Sequence, residues 1–319
     1  MRRRKELTDD ELRIIKKKIS DEEAYEAFFK DCYLRNLRPA TIEYYKNEFH
    51  GVKKIINKQL VEWVQKDVES LILQSKELMK VTTINTRLRA LRAFYNFLCK
   101  NKLIDKIPMK NIKLLRDRQK TIETLDNKEI EKLIRTIRKE KTFISFRDEV
   151  IILVFLDTGV RLSELVGIEV DDVRGKIIII RRTKNLFERT VYLSETTQEQ
   201  LSRYIKIRGD VETTKLFISQ DNKELNRHSF QTRLTKYGKK AKINKRVSPH
   251  TFRHTMAKRM IVSGVDAFSL MHLLGHTDIT VTKRYVNLWG QDLEQKHKLH
   301  GALKGSKIQV IYPNLYFTN

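Results

Sequence analysis

The sequence predicts a mainly α-helical protein with one small β-sheet, an α+β chain of two domains. Three observations carry this reading. Four prolines and eleven glycines in 319 residues leave long stretches without helix breakers. Most apolar residues recur at helical spacing. One short β-branched run, Lys176-Ile177-Ile178-Ile179-Ile180-Arg181-Arg182, departs from that spacing and reads as a strand.

The elements follow in order. Ser20-Asp21-Glu22-Glu23 is a capping box. It opens a helix whose apolar face runs through Tyr25, Phe28, Phe29 and Cys32. A turn at Arg38-Pro39-Ala40-Thr41 precedes a second helix over residues 41–49, and a third is expected near 59–74. A fourth follows Thr82-Thr83-Ile84-Asn85, with Leu88, Leu91, Phe94, Tyr95 and Leu98 as its apolar stripe. Its other faces carry Arg87, Arg89 and Arg92, which suits a helix packed on a core and turned toward phosphates. Residues 1–20 are a basic extension and 21–105 a helical domain. Residues 106–124 have weak periodicity, Pro108 and part of a run of six Lys or Arg between Lys102 and Arg118, and read as a linker.

The second domain, 125–300, opens on the N-cap pattern Leu125-Asp126-Asn127-Lys128-Glu129. A strongly apolar helix over 146–156 ends near Asp157-Thr158-Gly159. The strand at 176–182 pairs with 188–193 across a turn, and helices return thereafter. Residues 301–319 form a tail in which Ile308-Gln309-Val310-Ile311-Tyr312 could be a strand, a segment docking on another subunit, or disorder.

The formal net charge is +25. Up to Arg118 there are 28 Lys and Arg against 17 Asp and Glu, and beyond it 37 against 23. Both domains are therefore basic, which points to a polyanionic partner, nucleic acid first. Cys32 and Cys99 lie in helical patterns without a CxxC partner and read as core thiols in a reducing compartment. No apolar run reaches the roughly 18–20 residues of a membrane span. The basic start Met1-Arg2-Arg3-Arg4-Lys5 lacks the apolar stretch of a signal peptide. A cytoplasmic, nucleoid-associated protein is expected.

The most informative segment is His250 to Tyr285. It holds His250-Thr251-Phe252-Arg253-His254, then Leu273-Leu274-Gly275-His276, then Tyr285 nine residues later. Metal-free transfer at a phosphodiester needs a nucleophile, cations on the non-bridging oxygens, a base and an acid. Arginine suits the clamp because its guanidinium donates bidentately and stays charged. Arg253 supplies one such group. Arg161, in Thr158-Gly159-Val160-Arg161-Leu162-Ser163-Glu164-Leu165, supplies another. The i,i+4 pairs His250/His254 and His272/His276 could ligate zinc, but Thr251 stands where a metallopeptidase motif needs Glu. No metal and no cofactor are expected, and His254 and His272 read as supports.

These motifs, in this order and at these separations, resemble the tyrosine recombinase family of phage integrases and Xer recombinases, over about residues 22–300. The resemblance implies a helical core-binding domain and a catalytic domain that clamp double-stranded DNA. It implies Tyr285 as nucleophile, forming a 3′-phosphotyrosyl bond. Arg161 and Arg253 would hold the phosphate, His250 would move a proton at Tyr285, and His276 would donate to a phosphate oxygen. Glu164 would orient Arg161. Lys184 would be the acid for the leaving 5′-oxygen. Relatives carry glycines in that hairpin, whereas this chain reads Arg182-Thr183-Lys184-Asn185-Leu186-Phe187-Glu188-Arg189. Arg181 and Arg182 are candidate DNA contacts beside it. The resemblance also implies a homotetramer on two DNA sites. The departure in the hairpin and the tail after His300 favour a mobile element or phage over a housekeeping resolvase. A type IB topoisomerase and a non-catalytic DNA-binding relative are the alternatives.

Overall fold

The computed structural model describes residues 19–117, 121–181 and 188–289. The chain divides into two compact units, before and after residue 120. Among the described residues no helix is long and apolar enough to cross a membrane.

In the first unit, Ser20 Oγ accepts from Glu23 N–H at 3.2 Å and Glu23 accepts from Ser20 N–H at 2.9 Å, the reciprocal box that starts α1 (Asp21–Leu34). Pro39 occupies the first turn of α2 (Pro39–Lys53), where its missing N–H is harmless. A 3₁₀ turn, Leu60–Glu62, then leads into α3 (Gln65–Leu78). The expected third helix therefore begins later, after a break. Asp21 fixes that break: fully buried, it accepts from the N–H groups of Leu60 and Val61 at 3.0 Å each and pairs with Lys53 at 2.9 Å. Helix α4 (Val81–Lys100) buries Leu88, Leu91, Phe94, Tyr95 and Leu98 as its stripe predicts. Phe28 meets Phe94 edge-on at 5.5 Å, with Phe49 beside both. Cys32 is buried in this core and Cys99 only half-buried.

The segment expected as a linker is packed up to residue 115. Met109 is 2 % exposed, and Ile107, Ile112, Leu114 and Leu115 cover the same core. Asn85 exchanges hydrogen bonds with the backbone of Leu115, at 2.9 and 2.8 Å. Arg92 donates to the Ile112 carbonyl at 2.7 Å. The weak sequence periodicity reflects an irregular strap, whose apolar residues meet the core without helical spacing.

The second unit is organised by α6 (Phe143–Thr158). Its Val150, Ile151, Ile152, Val154 and Phe155 are all fully buried, the mark of a helix with neighbours on every side. Helices α5 (Asn127–Arg138), α8 (Glu195–Arg208) and α10 (Pro249–Val262) pack against it, with Phe155 stacked on Phe252 at 6.1 Å. Helix α9 (Arg227–Lys240) lies against α5. The sheet is antiparallel, in the order β1 (Val173–Arg174), β2 (Ile177–Ile180), β3 (Arg189–Tyr192). The two-residue β1 was not foreseen, being too short to show alternation. Ile178 and Ile180 point inward, and Ile180 pairs with Arg189 across the mouth of the hairpin. A smaller cluster, Met256, Ala257, Ile261, Leu270 and Leu274, joins α10 to α11 (Ala267–Leu274) and α12 (Ile279–Trp289) and includes Tyr285.

Candidate active site

Two glycines bring the motif segments together. Gly159 ends α6 in the left-handed region, φ +60°. A Cβ there would lie 2.9 Å from Leu274 and 3.2 Å from Met256, so only glycine fits both the turn and the space. Gly275 ends α11 in the same way, φ +64°, and its added Cβ would lie 2.8 Å from the Arg189 guanidinium.

Arg253, on α10, is 4 % exposed. It donates to the Gly159 carbonyl, to the Leu274 carbonyl at 2.8 Å and to His276 Nε2 at 2.8 Å. Burial first, then the charge of Arg161, lowers its pKa to about 10. Among the described residues no carboxylate pairs with it directly. Arg161 is the N-cap of the short helix α7 (Leu162–Leu165). It donates to Glu164 Oε1 at 2.9 Å, while both its terminal nitrogens lie 3.4 Å from the Gly275 carbonyl. Glu164 also accepts from the Arg161 N–H at 2.9 Å. The two arginines thus share the α11 C-terminus, one on Leu274 and the other on Gly275.

Glu164 is 2 % exposed and has a second cation. Arg189, from β3, donates to it bidentately at 3.1 and 2.8 Å. Burial pushes the Glu164 carboxyl up, but the hydrogen bonds and charge of Arg189, then the bonds of Arg161, hold it below the usual carboxylate value. In the sequence Arg189 is simply the last residue of the hairpin segment. Its position facing Glu164 depends on the β2–β3 register, which no local pattern reveals.

His276 follows the Gly275 turn. Its Nε2 faces Arg253, which can only donate, so that nitrogen carries the lone pair and Nδ1 carries the proton, given to Thr282 Oγ1 at 2.9 Å. Burial, then Arg253, Arg161 and Arg189, depress its pKa to about 4, which keeps the ring neutral. Thr282 is fully buried one turn before Tyr285 on α12. Its signal in the sequence was that helical offset.

Tyr285 is 5 % exposed. Its ring stacks on Trp289 at 5.6 Å and lies nearly parallel to His276 at 6.4 Å. Its hydroxyl lies 2.8 Å from His254 Nδ1. Burial raises the phenol's pKa, opposed by Arg253, Arg284 and Arg161. His254, read as a support, thus touches the proposed nucleophile. His250 is exposed in the first turn of α10, and partial desolvation together with Arg253, Arg246 and Arg161 lowers its pKa. His272 is exposed. Among the described residues no three His, Cys, Asp or Glu side chains gather as a metal site requires.

The structure therefore brings together Arg161, Glu164, Arg253, His276 and Tyr285, and adds Arg189, His254 and Thr282. Lys184 and Arg182 lie outside the described residues. Arg181 is half-exposed and paired with Asp172 at 2.5 Å. In the first unit Arg89 is exposed, whereas Arg87 pairs with Glu48 at 3.3 Å and Arg92 is held by Ile112.

Comparison with known proteins gives the family of the chain. Residues 123–291, more than half of the chain, match the phage integrase family. Tyrosine recombinase XerC of Vibrio cholerae serotype O1 is 30% identical over 262 residues, covering 79% of this chain and 83% of that protein. Tyrosine recombinase XerC of Vibrio atlanticus is 32% identical over 246 residues, covering 75% and 79%. Among solved structures, the Tn1549 transposon integrase in complex with transposon right end DNA superposes with a TM-score of 0.71 at 20% identity, covering 84% of this chain and 94% of that one. A lambda integrase tetramer bound to a Holliday junction gives 0.71 at 14% identity, covering 86% and 79%. At these identities the structural matches speak for the fold. The chain belongs to the phage integrase family and is a tyrosine-type site-specific recombinase. The topoisomerase and non-catalytic alternatives are not favoured.

Proposed function

We propose that the protein cuts and rejoins double-stranded DNA at specific sites through Tyr285. The observation that carries this reading is the seat of the Tyr285 phenol: one turn from Thr282, against His254, beside a buried Arg253 that has no carboxylate partner among the described residues. The phenolic oxygen attacks the scissile phosphorus, a 3′-phosphotyrosyl bond forms, and a 5′-hydroxyl leaves. A strand end from a second site then reverses the step. The phosphotyrosine conserves the bond energy, so the scheme calls on no nucleotide cofactor.

Arg161 and Arg253 hold the non-bridging oxygens, where preorganised cations stabilise the transition state most. Glu164 and Arg189 hold Arg161 in place. His276 Nε2 lies in the same cluster, and a bound phosphate anion would raise its pKa until Nε2 can donate. Proton transfer at the phenol falls to α10, where the resemblance points to His250 and the contact at the hydroxyl belongs to His254. Lys184 protonates the leaving oxygen. Both units contact the duplex as a clamp, with phosphate contacts supplying most of the affinity. Arg89, Arg181 and Arg182 are among those contacts. The active form is a homotetramer on two DNA sites, acting in the cytoplasm on the nucleoid; the lambda integrase tetramer on a Holliday junction supports that assembly.

The test is covalent trapping. Wild type should form protein–DNA adducts whose mapped positions on the DNA flanking its gene define the site. Those positions separate element ends from a chromosomal resolution site. Tyr285→Phe should form none while binding the same DNA. Adducts formed by the Phe variant overturn the nucleophile assignment.

A further inference from the structure

Both nitrogens of the His276 ring are engaged, and the two contacts differ in kind. The backbone beneath the ring is fixed first. His276 N–H donates to the Met271 carbonyl and Gly275 N–H to the His272 carbonyl, each at 3.0 Å, the paired closure that ends α11. The side chain is held separately: Nε2 lies 2.8 Å from an Arg253 nitrogen and Nδ1 lies 2.9 Å from Thr282 Oγ1. Thr282 reaches the ring because of how α12 begins. Asp278 Oδ1 accepts from Thr280 N–H at 2.8 Å and its carbonyl from Val281 N–H at 3.2 Å, which sets the phase of the first turn. Thr282 and Tyr285, three residues apart, are then buried on one face, while Val281, Lys283 and Arg284 are exposed.

We propose that Thr282 is a positioning residue for DNA cleavage: by holding the Nδ1 proton of His276 on its own oxygen, it leaves Nε2 as the nitrogen that donates to the scissile phosphate. The assignment rests on His276 being a phosphate contact. In the free protein Arg253 can only donate, so Nε2 carries the lone pair, and the Thr282 hydroxyl accepts from Nδ1. When an anion draws the Arg253 guanidinium away, the Thr282 bond stays. Nε2 takes a proton from solvent and Nδ1 keeps its own. The resulting imidazolium then has two N–H donors and two acceptors, Thr282 Oγ1 and a phosphate oxygen. Without the hydroxyl, the charged ring would bury an unpaired N–H.

The charged groups around the ring set when this happens. Arg253 from α10, Arg161 at the start of α7 and Arg189 from β3 oppose a second proton, Glu164 from α7 favours it, and the Tyr285 ring of α12 lies nearly parallel. Burial and these cations keep the free ring neutral, with a pKa of about 4. A bound diester anion offsets the cations, so the second proton arrives with the substrate. Thr282 decides at which nitrogen it arrives.

Single-turnover cleavage of a duplex carrying the mapped site, followed across pH, tests this. Thr282→Val keeps the shape and removes the hydroxyl. It should slow cleavage at neutral pH about 10- to 100-fold, with duplex affinity within about threefold of wild type. It should also move the limb on which cleavage slows with rising pH down by roughly one pH unit, because the charged ring loses an acceptor. Thr282→Ser, which keeps the hydroxyl, should recover most of the rate and restore the limb. His276→Ala should itself be slowed about 100-fold, and adding Thr282→Val to it should change the rate less than about threefold, because the threonine acts through the imidazole. A threonine that merely packs would slow both backgrounds alike, and that result overturns the proposal. A Thr282→Val pH profile that superposes on wild type overturns it too. Nitrogen NMR of the free protein with isotope-labelled histidines decides the matter if Thr282→Val does not fold. The His276 signal, identified by its absence from His276→Ala, should show the proton on Nδ1, and a proton on Nε2 overturns the proposal. His276→Ala cleaving like wild type overturns the phosphate contact and the proposal with it. A slow His276→Ala beside a fast Thr282→Val overturns the proposal alone.

Discussion

The two units use buried arginines in opposite ways. In the helical unit, Arg87 faces Glu48 and Arg92 closes a strap by donating to a backbone carbonyl. Each serves its own fold. In the catalytic unit, Arg161, Arg189 and Arg253 converge with Glu164 as their one counter-charge among the described residues, and the remaining bonds go to His276 and to the carbonyls of Gly159, Leu274 and Gly275. Carbonyl dipoles orient a guanidinium without neutralising it. The result is a rigid concentration of positive charge, held by helix ends, which an anion completes. An arginine in a basic helix is thus weak evidence for a DNA contact until its partners are known.

The largest effect expected from this contrast is at Arg253. Arg253→Lys should lower single-turnover cleavage by roughly 100- to 1000-fold, because an ammonium cannot reach two carbonyls and His276 at once. Near-wild-type cleavage would mean that charge alone matters there. Next comes Glu164→Gln, which leaves Arg189 buried without its counter-ion. It should cost about 3 kcal/mol of stability in chemical denaturation and slow cleavage as Arg161 loses its anchor. Unchanged stability would mean that water or a nearby carbonyl compensates.

The neutral histidines give a pH test. His254 and His276 titrate near 6.5 when unfolded and at about 4 when folded. Between those values the unfolded chain binds more protons, so stability is full above pH 6.5 and falls as pH drops toward 4. Both rings are partly accessible, so the loss is about 1–2 kcal/mol per histidine. It should appear as a falling Tm over that range, and the fall should be clearly smaller in the double variant His254→Asn, His276→Asn, which keeps the contribution of His250. Gly159→Ala should cost about 1–2 kcal/mol from its positive φ alone, and more from the clash with Leu274.

The smallest effects separate the arginines of α4. Arg89→Ala should reduce the salt slope of DNA binding by about one contact's worth and leave Tm unchanged. Arg92→Ala should do the reverse, costing about 1 kcal/mol with the slope intact. Equal salt slopes for the two would erase the distinction drawn between the units.

Much of this was legible along the chain because the chemistry is written in short motifs. The capping boxes at Ser20 and Asp126 and the apolar stripe of α4 are local patterns, and they fixed where those elements start and which way they face. The packed strap at 106–115 was not legible, since irregular backbone buries apolar residues without a period. Nor was β1, whose two residues gain their conformation only from pairing with Ile177 and Ile178.

By itself the sequence determined the class of the protein, and the resemblance to the family singled out Arg161, Glu164, Arg253, His276 and Tyr285, each within a short local motif. Only the tertiary structure decided which atoms meet. Arg189 reaches Glu164 through a strand register, Thr282 fixes the His276 tautomer through a turn, and His254 rather than His250 lies against the phenol because α12 crosses α10 at that level. Hydrogen bonds across elements act over about 3 Å, and no spacing along the chain specifies a distance that three packed helices set together.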